Sequence, residues 1–172
     1  MAIEKLGGIM SSSSSSEAIA NVVKALIYRD DGCLLIQQRD NTPSLPFPNT
    51  WTLFGGLVES GEGLEAALKR ELIEELGCLP GSIESELFQW QWKGDNLDLN
   101  HIIFAVYCQV GDRDLVLMEG QAMGWYSLEA LKRLVLAPLV SENLSKISAF
   151  LAGITYQHND FNTQLFTQSV GH

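Results

Sequence analysis

Between Gly56 and Cys78 the chain reads GLVESGEGLEAALKRELIEELGC, and this string constrains the fold more than any other stretch. Leu64, Leu68, Leu72 and Leu76 recur every four residues with Ala67 beside them, which predicts a helix from about Leu64 to Leu76 with one apolar stripe. Gly77, just past the last leucine, is a plausible stop. Glu71, Glu74 and Glu75 stand at i, i+3 and i+4, so in a helix they share one face, largely off the leucine stripe. Like charges at that spacing destabilise a helix by roughly 0.2–0.5 kcal/mol per pair. A cluster of hard oxygen ligands makes sense around a hard cation such as Mg²⁺, and the string reads as a metal site.

The rest of the composition supports that reading. A chain of 172 residues suffices for one domain with a sizeable core. Its net charge of −10 argues against binding a nucleic-acid polymer, which needs basic patches to neutralise phosphates. Within the Gly56–Cys78 string six acids face only Lys69 and Arg70. A phosphate-bearing substrate would be repelled from such a face unless divalent cations bridge the two. Cys33, Cys78 and Cys108 are far apart and form no C-x-x-C or Cys/His cluster, so they read as reduced thiols of a cytoplasmic protein. No secretory signal is visible at the start, and no stretch reaches the ~20 apolar residues needed to span a bilayer.

Along the chain, residues 1–17 with their serine run Ser11–Ser16 read as a flexible leader, 18–152 as one domain, and 153–172 as a polar tail of uncertain order. Ala18–Tyr28 and Cys33–Gln38 read as strands of a hairpin around Asp30-Asp31-Gly32. Asn41–Asn49, with three prolines, reads as a surface loop, and Trp51–Phe54 as a short strand. Ile83–Lys93 and Leu97–Val110 read as strands around Gly94-Asp95-Asn96, followed by short strands at Leu115–Met118 and Gly124–Tyr126. Ser127 is placed to cap a helix running to about Leu134, and a last helix is expected from about Leu139 to Leu151. Strands and helices interleaved in this way predict an α/β/α sandwich around a mixed sheet.

The string from Gly56 resembles the Nudix box, G-x5-E-x7-R-E-U-x-E-E-x-G-U, with U a bulky aliphatic residue. Gly56, Glu62, Arg70, Glu71, Leu72, Glu74, Glu75 and Gly77 match, and Cys78 departs from the usual Ile, Leu or Val as a packing variant. The resemblance implies an α/β Nudix-type sandwich and Mg²⁺- or Mn²⁺-dependent hydrolysis of a pyrophosphate bond in a nucleoside diphosphate derivative. It implies Glu74 and Glu75 as metal ligands with the Gly56 carbonyl, and Glu71 as a ligand or as the general base for the attacking water. Arg70 and Glu62 would then orient the cluster. Glu119, in a loop that faces the substrate in relatives, is implied as a further base or metal ligand.

Outside the box, Arg39 ends the second strand and is the kind of residue that meets a phosphate or stacks on a base; its alternative is a strand-end surface charge. Trp51, Phe54, Trp90, Trp92 and Phe104 are candidates for a base-stacking pocket, with Trp51 and Phe54 taken as substrate-binding, although for each one singly core packing is the better reading. His101 reads as a pocket residue or a strand surface residue. MutT-like members that act on oxidised guanine nucleotides read the base with an Asn shortly after a proline. Here Val140 follows Pro138 in the comparable stretch, with Asn143 nearby. Nucleoside triphosphates and nucleotide sugars are the leading substrates, and a second copy of the chain in a homodimer is a candidate partner. Two rivals share the fold: a non-hydrolytic nucleotide-binding sensor or scaffold, and an isomerase of the isopentenyl diphosphate type with a catalytic Cys.

Overall fold

The computed structural model describes residues 19–94, 98–108 and 115–154. The expected leader and all but the first two residues of the expected tail lie outside them, as does most of the Gly94–Asn96 turn. Strands β1 (Ile19–Tyr28), β2 (Leu34–Gln38), β3 (Trp51–Thr52), β4 (Gly81–Lys93), β5 (Asp98–Cys108) and β6 (Ala122–Tyr126) form one six-stranded sheet. The order is β3-β2-β1-β5-β4, and β6 pairs with β2. β1 runs parallel to β5 over its whole length, from Ile19 opposite Asp98 to Tyr28 opposite Tyr107, while the other pairings are antiparallel. The sheet is therefore mixed, as expected.

β1 is central and covered on both faces, which explains why VVKALIY reads as a nearly continuous apolar run. Val23, Ala25 and Ile27 point to one face, where they pack with Phe54 under helix α1 (Leu64–Leu76). Leu26 and Tyr28 point to the other, against Leu131, Leu139, Val140, Ile147 and Leu151 from three helices: α2 (Leu128–Leu131), α3 (Pro138–Ser141) and α4 (144–154). Ala67, Leu68, Leu72 and Leu76 of α1 are fully buried, each leucine contributing about 1.5–3 kcal/mol by leaving water. The helix has its expected bounds and closes on Gly77 in the left-handed conformation, whose N–H donates to the Ile73 carbonyl at 3.0 Å.

Three expectations are corrected. Residues 115–118 form no strand: the N–H groups of Val116 and Met118 donate to the carbonyls of Leu76 and Glu75 at 3.3 and 2.8 Å, satisfying the end of α1. α2 stops at Leu131 and continues as a turn rather than a helix to Leu134, although Ser127 does cap it, accepting from the Ala130 N–H at 3.3 Å. The last helix is broken into α3 and α4. At the break the Asn143 side-chain amide takes the Leu139 carbonyl at 2.9 Å, while its own N–H turns to Val140.

Candidate active site

Past β3 the chain runs antiparallel to β1, with bridges at Ala25–Phe54 and Val22–Leu57, and this brings Gly55 and Gly56 beneath α1. At Gly55 a side chain would meet backbone, and at Gly56 it would displace the Glu71 carboxylate. A Cβ on Gly56 would lie 2.6 Å from the Glu71 carboxyl carbon, and one on Gly55 would press into the β1 backbone, 3.2 Å from the Lys24 Cα. The matched glycine of the box is thus a bare floor on which the Glu71 carboxylate rests. The Gly56 carbonyl accepts from the Val23 N–H at 2.9 Å, which leaves its second lone pair for any ligand role.

Arg70 ties the cluster together from behind. Its Nε and Nη2 bond both oxygens of Glu62 at 3.0 and 2.9 Å, Nη2 also reaches the Leu57 carbonyl at 2.9 Å, and Nη1 meets Glu71 at 2.5 Å. Glu74 lies further off, at 3.7 Å. The Glu62 hydrogen bonds, more than the Glu71 pair, hold the guanidinium firmly protonated. Arg70 does not line the cavity in front of the acids.

Glu75 departs most from a solvated helix face. It is only 9% exposed, with one oxygen accepting from Gln37 Nε2 at 2.8 Å and the other from the Gly55 N–H at 2.6 Å. Burial pushes its carboxyl pKa up, against the pull of the Lys24 ammonium, the Gly55 N–H and Gln37. Lys24 is buried in β1 and donates to the carbonyls of Leu53 and Gly55. Burial lowers its pKa to about 8, partly offset by Glu75. Sequence reasoning missed both Lys24 and Gln37. The available signal was a lysine in the middle of an apolar strand.

Glu71, Glu74, Glu75 and Glu119 line one cavity of about 140 Å³ together with Arg39 and Gln37. Glu119 is exposed and reaches this cavity from a loop fastened to the end of β2, where Gln121 bonds the carbonyls of Gln38 and Arg39 at 2.9 and 2.7 Å. The donor set is all oxygen and so suits Mg²⁺ or Mn²⁺ chemically. Among the described residues no three acids already converge into a cage, because Glu71 leans on Arg70 and Glu75 on Gln37 and Gly55.

A second cavity of similar size adjoins the first through Arg39, Leu45 and the Gly55–Leu57 segment. Phe47, Trp90, Trp92, His101, Thr52 and Lys24 are among the residues that line it. Arg39 thus stands at the junction, its Nε buried and without a hydrogen-bond partner among the described residues. Desolvation lowers its pKa, while Glu75 and Asp40 raise it. Phe54 is fully buried under α1 and Trp51 packs edge-on against Tyr126 at 5.1 Å, so neither expected stacking residue lines either cavity. Trp90 and Trp92 take that place, and Phe104 packs against the core. Asn143 is 2% exposed and bonded to its own helix, away from both cavities.

Comparisons with known proteins agree with this geometry. The NUDIX domain family matches residues 19–148. The chain is 33% identical over 117 residues to a protein named nucleoside triphosphatase NudI from Salmonella paratyphi B, a match covering 61% of this chain and 80% of that one. A MutT protein from Methanosarcina mazei superposes with a TM-score of 0.68 at 25% identity, covering 79% and 97% of the two chains. The E. coli ORF135 protein superposes with a TM-score of 0.63 at 30% identity, covering 82% and 94%. With the box acids gathered on one cavity and the domain matched almost throughout, the chain belongs to the Nudix family as a MutT-like hydrolase.

Proposed function

We propose that this protein hydrolyses nucleoside triphosphates at a phosphorus anhydride bond with Mg²⁺ or Mn²⁺ bound, nucleotide sugars being the second substrate class. The observation that carries the reading is the pair of adjoining cavities, one walled by four glutamates and Asp40 and the other by aromatic rings, with Arg39 between them. A base in the aromatic cavity would extend its phosphates past Arg39 to the acids. The similarity to a protein named nucleoside triphosphatase favours the triphosphate class.

Glu71, Glu74, Glu75 and Glu119 would hold the cation, with the Gly56 carbonyl. When bound, it neutralises phosphate charge and acidifies water. Arg39 offers its unpartnered guanidinium N–H to a phosphate oxygen. Glu71, fixed by Arg70, or Glu119, across the cavity, accepts the proton of the water that attacks phosphorus. Because water is the nucleophile, no covalent enzyme intermediate forms. None of the three cysteines lines either cavity, which gives the isomerase reading no support. Retention of every box acid weighs against a non-hydrolytic sensor.

A panel of nucleoside triphosphates and nucleotide sugars, read by phosphate or pyrophosphate release with Mg²⁺, tests the proposal. Turnover should disappear in excess chelator and return with added Mg²⁺. Tight nucleotide binding without turnover on any member would replace it with the sensor reading. A cytoplasmic location is part of the same proposal, and no helix among the described residues is long and apolar enough to cross a membrane.

A further inference from the structure

We infer that His101 is the residue through which this chain selects its nucleobase, by accepting a hydrogen bond from a ring N–H or exocyclic amine on the base edge. This rests on the reading of the aromatic cavity as the base site. His101 sits on β5 directly opposite Trp90 on β4, and the two ring centroids lie 5.1 Å apart with the planes tilted by 52°. The imidazole lines the cavity yet is only 8% exposed, and its Nδ1 is buried with no hydrogen-bond partner among the described residues. A buried polar atom left in that state is destabilising until a partner arrives.

The chemistry of the missing partner follows from the surroundings. Burial and the nearby Lys24 ammonium lower the His101 pKa to about 4, so the ring is neutral near pH 7. A neutral imidazole has one N–H and one bare lone pair. One nitrogen of the neutral ring therefore carries a bare lone pair, and the unpartnered Nδ1 is the atom offered to a ligand. Lys24, which lines the same cavity, already turns its ammonium to the Leu53 and Gly55 carbonyls. The rings of Trp90, Trp92 and Phe47 hold a flat ligand but offer nothing to tell bases apart by donor pattern. His101 supplies that discrimination.

The test compares each natural nucleotide with an analogue whose edge donor is deleted: UTP with N3-methyluridine triphosphate, CTP with zebularine triphosphate, ATP with purine riboside triphosphate, and GTP with N1-methylguanosine triphosphate. For the preferred base, wild-type kcat/KM should fall about 10- to 100-fold on the analogue, because a site built to pair a donor rejects its absence. His101→Phe keeps a ring beside Trp90 without a lone pair. It should bring the two members of the pair within about threefold. No gap in any wild-type pair, or a gap that survives in His101→Phe, overturns the inference. His101→Leu serves in the same way if melting shows the Phe variant unfolded. If no nucleotide turns over, the hydrolase reading fails, and the same pairs are compared by quenching of tryptophan fluorescence. Selectivity lost in the variant then still supports His101, and selectivity unchanged rejects it.

Discussion

Replacing Glu75 by Gln should abolish most activity while leaving a folded protein, and the structure sets the size of each effect. The substitution removes the carboxylate nearest the buried Lys24 ammonium. Lys24 then has a way out: from a pKa of about 8, shedding its proton at pH 7 costs about 1.4 kcal/mol, which bounds the electrostatic loss on that side. A Gln at position 75 can still accept from the Gly55 N–H, but its amide then meets Gln37 Nε2, so about 1 kcal/mol of hydrogen bonding is also at risk. Working the other way, burial of the Glu75 carboxylate is itself unfavourable, and a neutral amide relieves it. The net expectation is a loss of roughly 0–2.5 kcal/mol, or a fall in Tm of up to about 10 °C. Steady-state kinetics on the best nucleotide should meanwhile lose at least about 100-fold in kcat. Glu65→Gln, which breaks only an exposed pair with Lys69, should stay within about 0.5 kcal/mol and keep full activity. Calorimetry and kinetics on the three proteins decide the matter. Collapse of the fold with metal binding retained, or wild-type turnover in Glu75→Gln, would refute the reasoning.

Other outcomes follow from the same geometry. Glu119→Gln should lower kcat about 10- to 100-fold with KM within about threefold, since Glu119 lines the same cavity as the box acids; a change in KM alone would make it a loop residue. Gly56→Ala places a Cβ against the Glu71 carboxyl, and displacement of that group by about 1 Å should cost on the order of 100-fold in kcat with little change in Tm. Because the folded pKa of His101 is depressed to about 4, its contribution to stability is fully present above about pH 6.5 and declines as pH falls toward 4. That amounts to roughly 3 kcal/mol, so denaturant melts of wild type should weaken across this window relative to those of His101→Phe. Parallel pH profiles for the two proteins would contradict the assignment.

The box helix was legible because its signals are local. Leucine spacing fixes the buried stripe, Gly77 the stop, and the acids fall where helical geometry puts them. The burial of Glu75 was not legible, because it depends on Gln37 and Gly55, which meet it only once the sheet has assembled. The aromatic cavity was misassigned for a related reason. Which tryptophans face it depends on strand parity, and β4 changes register between Ile83 and Phe88, so alternation along the sequence does not carry through to Trp90 and Trp92. Residues 115–118 resemble a strand in composition, yet their N–H donors are drawn to the open end of α1, a competition that composition does not record.

That last contact separates what this scaffold can vary from what it must keep. Met118 donates to the carbonyl of Glu75 and is followed directly by Glu119, so one short strut spaces the two acidic walls of the cavity. A residue inserted between Leu115 and Met118 would leave α1 and the sheet intact but shift one wall by about 3 Å, a full step of extended chain. The proline-rich stretch, which carries Leu45 and Phe47 to the aromatic cavity, bears none of the four glutamates. Divergence among relatives should therefore tolerate length changes at the proline loop, where they retune which molecule enters, and resist them at the strut, where they would silence the chemistry without unfolding the protein.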